Sequence, residues 1–301
     1  MGKIRFYELW DRKESETQQN LNADDSAIFN KRMEYANKKV LGMFTEIGIE
    51  TISRCNSKCS FCPVSIQNEK RPLTVMSDDV WQSIINQLKD LNFSGTIYPY
   101  INNEIFLDKK IFDRLEYARL KLGESIKINI ETNGILLKQR NDKGIKLIEK
   151  ASHYVDQIFI NDYADTDENY KNFNPRIRYI IDNLEKINVK RDLELKVCHR
   201  QLTQLLNNRF GMVDGHLKQT VPEKELFCDF PFFQFNVNPN GDAFICCRDS
   251  YYLETIGNIT EQTIKDIWFG SRYKEIRNAF INNKRICDVC KVCTSSGTLT
   301  M

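Results

Sequence analysis

From Glu46 to Cys198 short runs rich in Ile and Val alternate with longer amphipathic stretches, and no other feature limits the possible folds as much. The alternation predicts strands near 48–53, 96–101, 125–131, 155–161 and 193–198, with helices near 109–122, 138–150 and 175–187. A further helix starts at Ser77-Asp78-Asp79, a cap with an acidic first turn, and carries Trp81, Ile84, Ile85 and Leu88 on one stripe. Strands alternating with helices imply right-handed crossovers and a parallel sheet, curved into a partial or full barrel. Ligands of such α/β folds gather beyond the C-terminal strand ends. Cys55, Asn103-Glu104, Thr132-Asn133-Gly134 and Asn161-Asp162 each stand just after a predicted strand.

The 301 residues carry 43 Lys and Arg against 41 Asp and Glu, and this net charge of +2 gives no electrostatic footprint for nucleic acid. No uncharged apolar run approaches the ~18 residues of a membrane helix, and the charged start does not read as a signal peptide. A cytoplasmic protein with no nucleic-acid or membrane partner is expected. Residues 1–45 are polar and read as a peripheral extension, and 46–215 hold the alternating pattern. In 216–301 the alternation stops. Runs 232–237 and 242–247 flank the turn Asn238-Pro239-Asn240-Gly241 as a hairpin, a helix near 260–281 follows, and the chain closes on Cys287-x2-Cys290-x2-Cys293.

Ten cysteines are grouped rather than scattered, which in a reducing compartment points to metal or cluster ligands before disulfides. Cys55-Asn56-Ser57-Lys58-Cys59-Ser60-Phe61-Cys62 places three thiols in one loop. Three thiolates cap three irons of a 4Fe–4S cubane and leave the fourth open, whereas a closed zinc site needs a fourth ligand that is not nearby.

This C-x3-C-x-aromatic-C segment, with Phe61 at the aromatic position, resembles the signature of the radical S-adenosylmethionine (radical SAM) superfamily. The resemblance implies that SAM chelates the open iron and is cleaved reductively to a 5′-deoxyadenosyl radical, with electrons from a flavodoxin- or ferredoxin-type donor. It also implies SAM-binding roles for Phe61, Asn103, Glu104, Thr132, Asn133 and Asn161. Asn102-Asn103-Glu104 lacks the glycines of the family's motif for the SAM amino group, so Glu104 carries most of that likeness.

A second group comprises Cys228, Cys246, Cys287 and Cys290, enough to close either a tetrahedral zinc or a second 4Fe–4S cluster. C-x12-G-x4-C followed by C-x2-C resembles the twitch domain, a shortened SPASM domain of radical SAM enzymes, which holds one auxiliary 4Fe–4S cluster. Gly257-Asn258-Ile259 and Ile264-x2-Ile267-Trp268 add to that likeness, and Asn208-Arg209-x-Gly211 resembles members that oxidise aminocyclitols. The expected architecture is therefore a partial (β/α)6-type barrel with a small C-terminal twitch/SPASM-like cluster domain. Cys247 and Cys293 adjoin assigned ligands, and either replaces its neighbour with little backbone change.

Three residues are candidates for chemistry on substrate. Cys247 reads as a hydrogen-atom donor or a packing residue, Arg209 as an anchor for a substrate hydroxyl or carboxylate or a surface arginine, and Asp249 as a base or a turn cap. Cys198 reads as a small core residue, and His153, His199 and His216 show no ligand spacing. The leading expectation is dehydrogenation of a small hydroxylated substrate such as a sugar or aminocyclitol, the auxiliary cluster taking the second electron. The alternatives are epimerisation through Cys247, peptide modification, and a non-catalytic metal-stabilised binding module. The first 45 residues are too short and polar for the winged-helix recognition element of many peptide-modifying relatives.

Overall fold

In the computed structural model, which describes residues 2–10, 25–38, 41–59, 62–66, 71–137, 142–164, 174–201 and 226–293, nine strands join one sheet. They are β1 (Ile4–Trp10), β2 (Glu46–Ile49), β3 (Thr96–Tyr98), β4 (Lys127–Thr132), β5 (Gln157–Ala164), β6 (Leu193–Gln201), β7 (Gln234–Val237), β8 (Asp242–Phe244) and β9 (Thr255–Asn258). The order is β1-β6-β5-β4-β3-β2-β7-β8-β9. Every pairing from β1 to β7 is parallel, and β7, β8 and β9 are antiparallel. The sheet keeps two free edges, as a partial barrel does.

Side chains alternate across a strand, so each strand sorts its residues between two faces. Ile47, Ile49, Ile97, Ile128, Ile130, Ile158, Ile160, Leu195 and Val197 form a buried core with the helices α3 (Asp78–Asp90), α4 (Ile111–Leu122), α5 (Lys143–Ala151) and α6 (Pro175–Ile181). Ser77 caps α3 by accepting from the Val80 N–H at 3.2 Å, and Trp81 of α3 donates its Nε1–H to the Arg114 carbonyl of α4 at 3.1 Å. The opposite face carries Tyr98, Glu131, Asn161, Tyr163, Lys196 and Arg200, all out of phase with the isoleucines. Alternation therefore delivers a polar face where the strands end.

Two expectations change. Within residues 1–45, expected as a polar peripheral extension, the described stretch Ile4–Trp10 forms β1, which pairs with β6 from Ile4↔Leu193 to Trp10↔His199 and adds a parallel strand at the sheet edge. Helix α1 (Asp25–Asn37) docks at the other end of the molecule, where Arg32 donates to the Ile281 carbonyl at 2.9 Å and Tyr35 packs 4.4 Å from the Phe232 ring. Ile4 and Phe6, two residues apart and partly buried against the core, were the only signal, interrupted by Arg5 between them and Glu8 at the next position in phase. The helix expected over 260–281 is two helices, α8 (Ile264–Trp268) and α9 (Ser271–Ile281). Gly270 breaks it with an extended backbone, packed so closely that a Cβ there would stand 2.8 Å from the Asp266 carbonyl oxygen. The hairpin is present as β7 and β8, turned at Gly241 with φ +88°, a left-handed conformation that glycine adopts without strain. The boundary expected at 215–216 lies outside the described residues.

Candidate active site and thiol groups

The first cysteine loop leaves β2 and is held from three directions. Within the loop, the Ser57 N–H points at Cys55 Sγ (3.5 Å), the Ser57 hydroxyl meets Cys59 Sγ (3.0 Å), and the Cys62 N–H donates to the Cys59 carbonyl (3.1 Å). From β4, the Asn133 amide donates to Cys55 Sγ at 3.4 Å and to Asn56 Oδ1 at 2.8 Å. From the loop after β3, the Glu104 N–H donates to the Arg54 carbonyl at 2.9 Å. Burial pushes the Cys55 thiol up to about 11, so a ligand thiolate there needs the metal's charge or these donors to form.

Glu104 is the hub of this corner. Its carboxylate accepts from the Thr132 hydroxyl (2.7 Å), the Asn133 N–H (2.8 Å) and the Phe106 N–H (3.3 Å), and burial raises its pKa. Glu104, Thr132 and Asn133, drawn from two separate motifs, thus meet beside the cysteine loop. Asn103 shapes the turn by accepting from the Ile101 N–H at 2.9 Å, and its buried Nδ2 has no partner among the described residues. Phe61 lies outside the described residues.

Asn161, expected to bind SAM, belongs to a polar row whose other members sequence reasoning left without a role. It donates to the Glu131 carboxylate and accepts from the Arg200 Nε–H, while Arg200 stands 5.9 Å over the Phe159 ring. Tyr100 hydrogen-bonds Glu131, and burial raises its phenol and that of Tyr163 well above the ordinary value. Glu131, Asn161 and Tyr163 share one side of the sheet because they alternate with Ile130, Ile160 and Ala164. That parity was available in the sequence.

The second cysteine group surrounds one cavity, lined by Cys228, Cys246, Cys290 and Cys293 with Phe230, Arg248 and Arg285. Cys228 precedes the short helix α7 (Phe230–Phe233), Cys246 follows β8, and Cys290 lies on α10 (Asp288–Lys291). Arg285 clamps the end of the chain by donating to the carbonyls of Leu226 (3.0 Å), Cys290 (3.1 Å) and Cys293 (2.5 Å). Cys287, expected as a ligand, is off this wall: it caps α10, bonds the Cys290 thiol, and lies 3.9 Å from Arg272 Nη2. Among the described residues no three His, Cys, Asp or Glu side chains converge as for a single ion. Four thiols spread around one cavity fit a cluster, which is wider than an ion.

The two thiol groups meet at a polar junction. Asn102 donates to the Cys247 carbonyl (2.9 Å) and accepts from the Ser250 hydroxyl (3.1 Å), while Arg71 donates to the Asn102 carbonyl (3.1 Å). Arg71 is 2% exposed and pairs with fully buried Glu50 at 2.6 Å, and the Tyr252 hydroxyl donates to the same carboxylate at 2.7 Å. Tyr251 reaches the Pro63 carbonyl beside Cys62 (3.1 Å). Asp249 is buried and accepts from the Glu254 N–H at 2.9 Å, as a turn cap does, and its Oδ1 has no hydrogen-bond partner among the described residues. Cys247 lies off the cavity wall, near enough to Tyr100 to raise its phenol pKa. Cys198 is buried, and Arg209 lies outside the described residues.

A parallel α/β sheet with a three-thiol loop at its C-terminal end and a second thiol set in an appended segment defines a class of iron–sulfur radical enzymes. Residues 49–200 match the family model of the Radical SAM superfamily, and residues 228–294 match SPASM, an iron–sulfur cluster-binding domain. The chain belongs to the radical SAM superfamily and is an enzyme of that class, with 4Fe–4S clusters and SAM as its cofactors. It is 24% identical over 264 residues to the S-adenosyl-L-methionine-dependent 2-deoxy-scyllo-inosamine dehydrogenase of Niallia circulans, covering 86% of this chain and 96% of the relative. The structure of BtrN in complex with AdoMet and 2-DOIA aligns with TM-score 0.64 at 22% identity, over 85% of this chain and 95% of that one. Native anSMEcpe with bound AdoMet aligns with TM-score 0.52 at 13% identity, over 82% and 88%. These likenesses establish the fold. Among the described residues no helix is long and apolar enough to cross a membrane.

Proposed function

We propose that this enzyme dehydrogenates a small hydroxylated or aminated ring compound, of the aminocyclitol class that the Niallia circulans relative is named for, at the mouth of the parallel sheet. The observation that carries the reading is the bond from Asn102 to the Cys247 carbonyl, which fastens the second thiol group to the loop preceding Glu104. An electron acceptor is then built into the wall of the site where hydrogen is removed. Cys55, Cys59 and Cys62 hold the SAM-binding cluster, and Cys228, Cys246, Cys290 and Cys293 hold the auxiliary one. When bound, these cofactors supply a 5′-deoxyadenosyl radical that removes a hydrogen atom and an acceptor for the electron left on carbon.

The chain's own residues bind and orient. Glu104 stays buried as the scaffold of the Thr132–Asn133 turn, with a spare lone pair on Oε2 for the SAM amino group. Asn161 and Arg200 present amide and guanidinium to substrate oxygens, a planar fork suited to a ring diol. Glu131 is the carboxylate on that face bonded to Asn161, and its Oε atoms take the hydroxyl proton as the carbonyl forms. Substrate thus loses a hydrogen atom, an electron and a proton. Electrons reach the SAM site from a flavodoxin- or ferredoxin-type donor.

A test is anaerobic incubation of the reconstituted enzyme with SAM, a reductant and 2-deoxy-scyllo-inosamine or related aminocyclitols. The expected result is 5′-deoxyadenosine in step with a product lighter by two hydrogens. Substrate-dependent SAM cleavage with no oxidised product would overturn the reading. A second reading is epimerisation, supported by Cys247 lying off the cavity wall and near Tyr100, with its thiol hydrogen-bonded to that of Cys246. It predicts a product of unchanged mass with solvent deuterium, and a Cys247→Ala variant that yields the ketone instead.

A further inference from the structure

Arg248 is a buried cation that forms no ion pair among the described residues. It is 6% exposed, lines the same cavity as Cys228, Cys246, Cys290 and Cys293, and sits 5.5 Å from the Phe230 ring centroid. Its backbone N–H donates to Cys246 Sγ at 3.4 Å, so the guanidinium and the ligand thiol belong to one turn. Among the described residues its guanidinium makes no ion pair and no hydrogen bond. Nearby Asp229 is ion-paired with Lys31 of α1, and Arg248 acts on its carboxyl only at longer range, favouring the charged form. Arg285, the cavity's other arginine, instead spends its donors on the carbonyls of Leu226, Cys290 and Cys293.

A guanidinium does not lose its proton in a protein, so a buried one needs a counter-charge or costs several kcal/mol. The groups that face Arg248 are the thiols of Cys246, Cys247, Cys293 and Cys228, and as thiolates they would stabilise its charge. Four thiolates around an iron–sulfur core carry net negative charge, and reduction adds one more. A fixed cation beside such a core favours the reduced form and raises the potential, while the surrounding Phe230, Pro231, Ile245 and Phe280 keep the dielectric low.

We propose that Arg248 is the built-in counter-charge of the auxiliary cluster and poises it to accept the substrate's electron. The inference rests on the reading that the second thiol group holds a 4Fe–4S cluster. Arg248 is thus a positioning residue for charge, acting through the cluster and not on substrate.

The test uses the full chain with Cys55, Cys59 and Cys62 replaced by alanine, so that only the auxiliary cluster is reconstituted, followed by a redox titration monitored by electron paramagnetic resonance. Arg248→Gln should lower the reduced-to-oxidised ratio at fixed ambient potential about tenfold, a shift of about 59 mV for a one-electron couple. Arg248→Lys should recover most of it. If Gln holds no iron while Lys does, charge compensation is equally supported. A Gln variant that loads iron at an unshifted potential overturns the proposal, as does loss of iron in Lys and Gln alike, which would mean packing and not charge. If the parent chain itself loads no auxiliary iron, it is the cluster assignment that fails.

Discussion

The cysteine loop after β2 and the cysteine cavity of the C-terminal segment hold thiols by different means. The first fits its three thiols between Cys55 and Cys62 and steadies them with Ser57, Asn56 and Asn133. The second gathers thiols that lie as far apart as Cys228 and Cys293, through a hairpin, two short helices and the grip of Arg285. The loop is local and follows a strand end. The cavity is assembled only when the tertiary structure is complete, and it is walled with aromatic rings and arginines. One thiol group is thus built from neighbours in sequence, and the other is built from the fold.

Removing the loop's thiols should produce the largest effect. A Cys55→Ala/Cys59→Ala/Cys62→Ala chain should form no 5′-deoxyadenosine yet keep about four of the eight irons of a two-cluster enzyme. Loss of all iron from that variant would show that the cavity is not independent of the loop. Next in size is the contrast between Cys293 and Cys287. Cys293→Ala should lose the auxiliary iron and Cys287→Ala should retain it, by iron and sulfide analysis of each reconstituted protein. The reverse outcome would mean that the cavity wall rearranges around Cys287 when the cluster enters.

The junction between the regions should come third. Replacing Arg71 with Met leaves the Glu50 carboxylate buried without its partner, and breaking such a pair costs about 3–5 kcal/mol. Urea unfolding of Arg71→Met should show that loss, and Glu50→Gln combined with it should return much of the stability. A loss under about 1 kcal/mol would place this triad among ordinary surface pairs. Asn102→Ala removes the bonds to Cys247 and Ser250, each of about 1 kcal/mol. Its expected signature is uncoupling, with 5′-deoxyadenosine formed in excess of oxidised product.

The same contrast explains what could be read without coordinates. Period-two and period-3.6 apolarity marked β2 to β6 and their helices, because each strand's core face is a run of Ile, Leu and Val. The cysteine loop, Glu104 and Thr132-Asn133 were legible because they follow those strands directly. Which of Cys287 and Cys293 lines the cavity was not, since two overlapping C-x2-C pairs carry the same spacing and only the turn at Cys287 and the pull of Arg285 separate them. Nor was β1, whose partner β6 lies almost the whole domain away in sequence and whose exposed side mixes Arg5 with Tyr7 and Leu9. Arg248 escaped notice for the same reason: a charge is known to be buried only when the walls around it are known.

The smallest effect should come from within the loop's own support. Thr132 donates to Glu104 at 2.7 Å and its oxygen accepts from the Gly134 N–H at 3.1 Å, so Thr132→Val removes both while keeping the shape. Glu104 retains the Asn133 and Phe106 N–H donors, so the carboxylate stays partly satisfied. A single such bond contributes about 1 kcal/mol, which corresponds to roughly fivefold in a binding constant. The expected result is a KM for SAM raised by about that factor with kcat nearly unchanged, and recovery in Thr132→Ser. A fall in kcat at constant KM would instead tie this hydroxyl to the reacting geometry, making the local support of the loop part of the chemistry and no longer merely its scaffold.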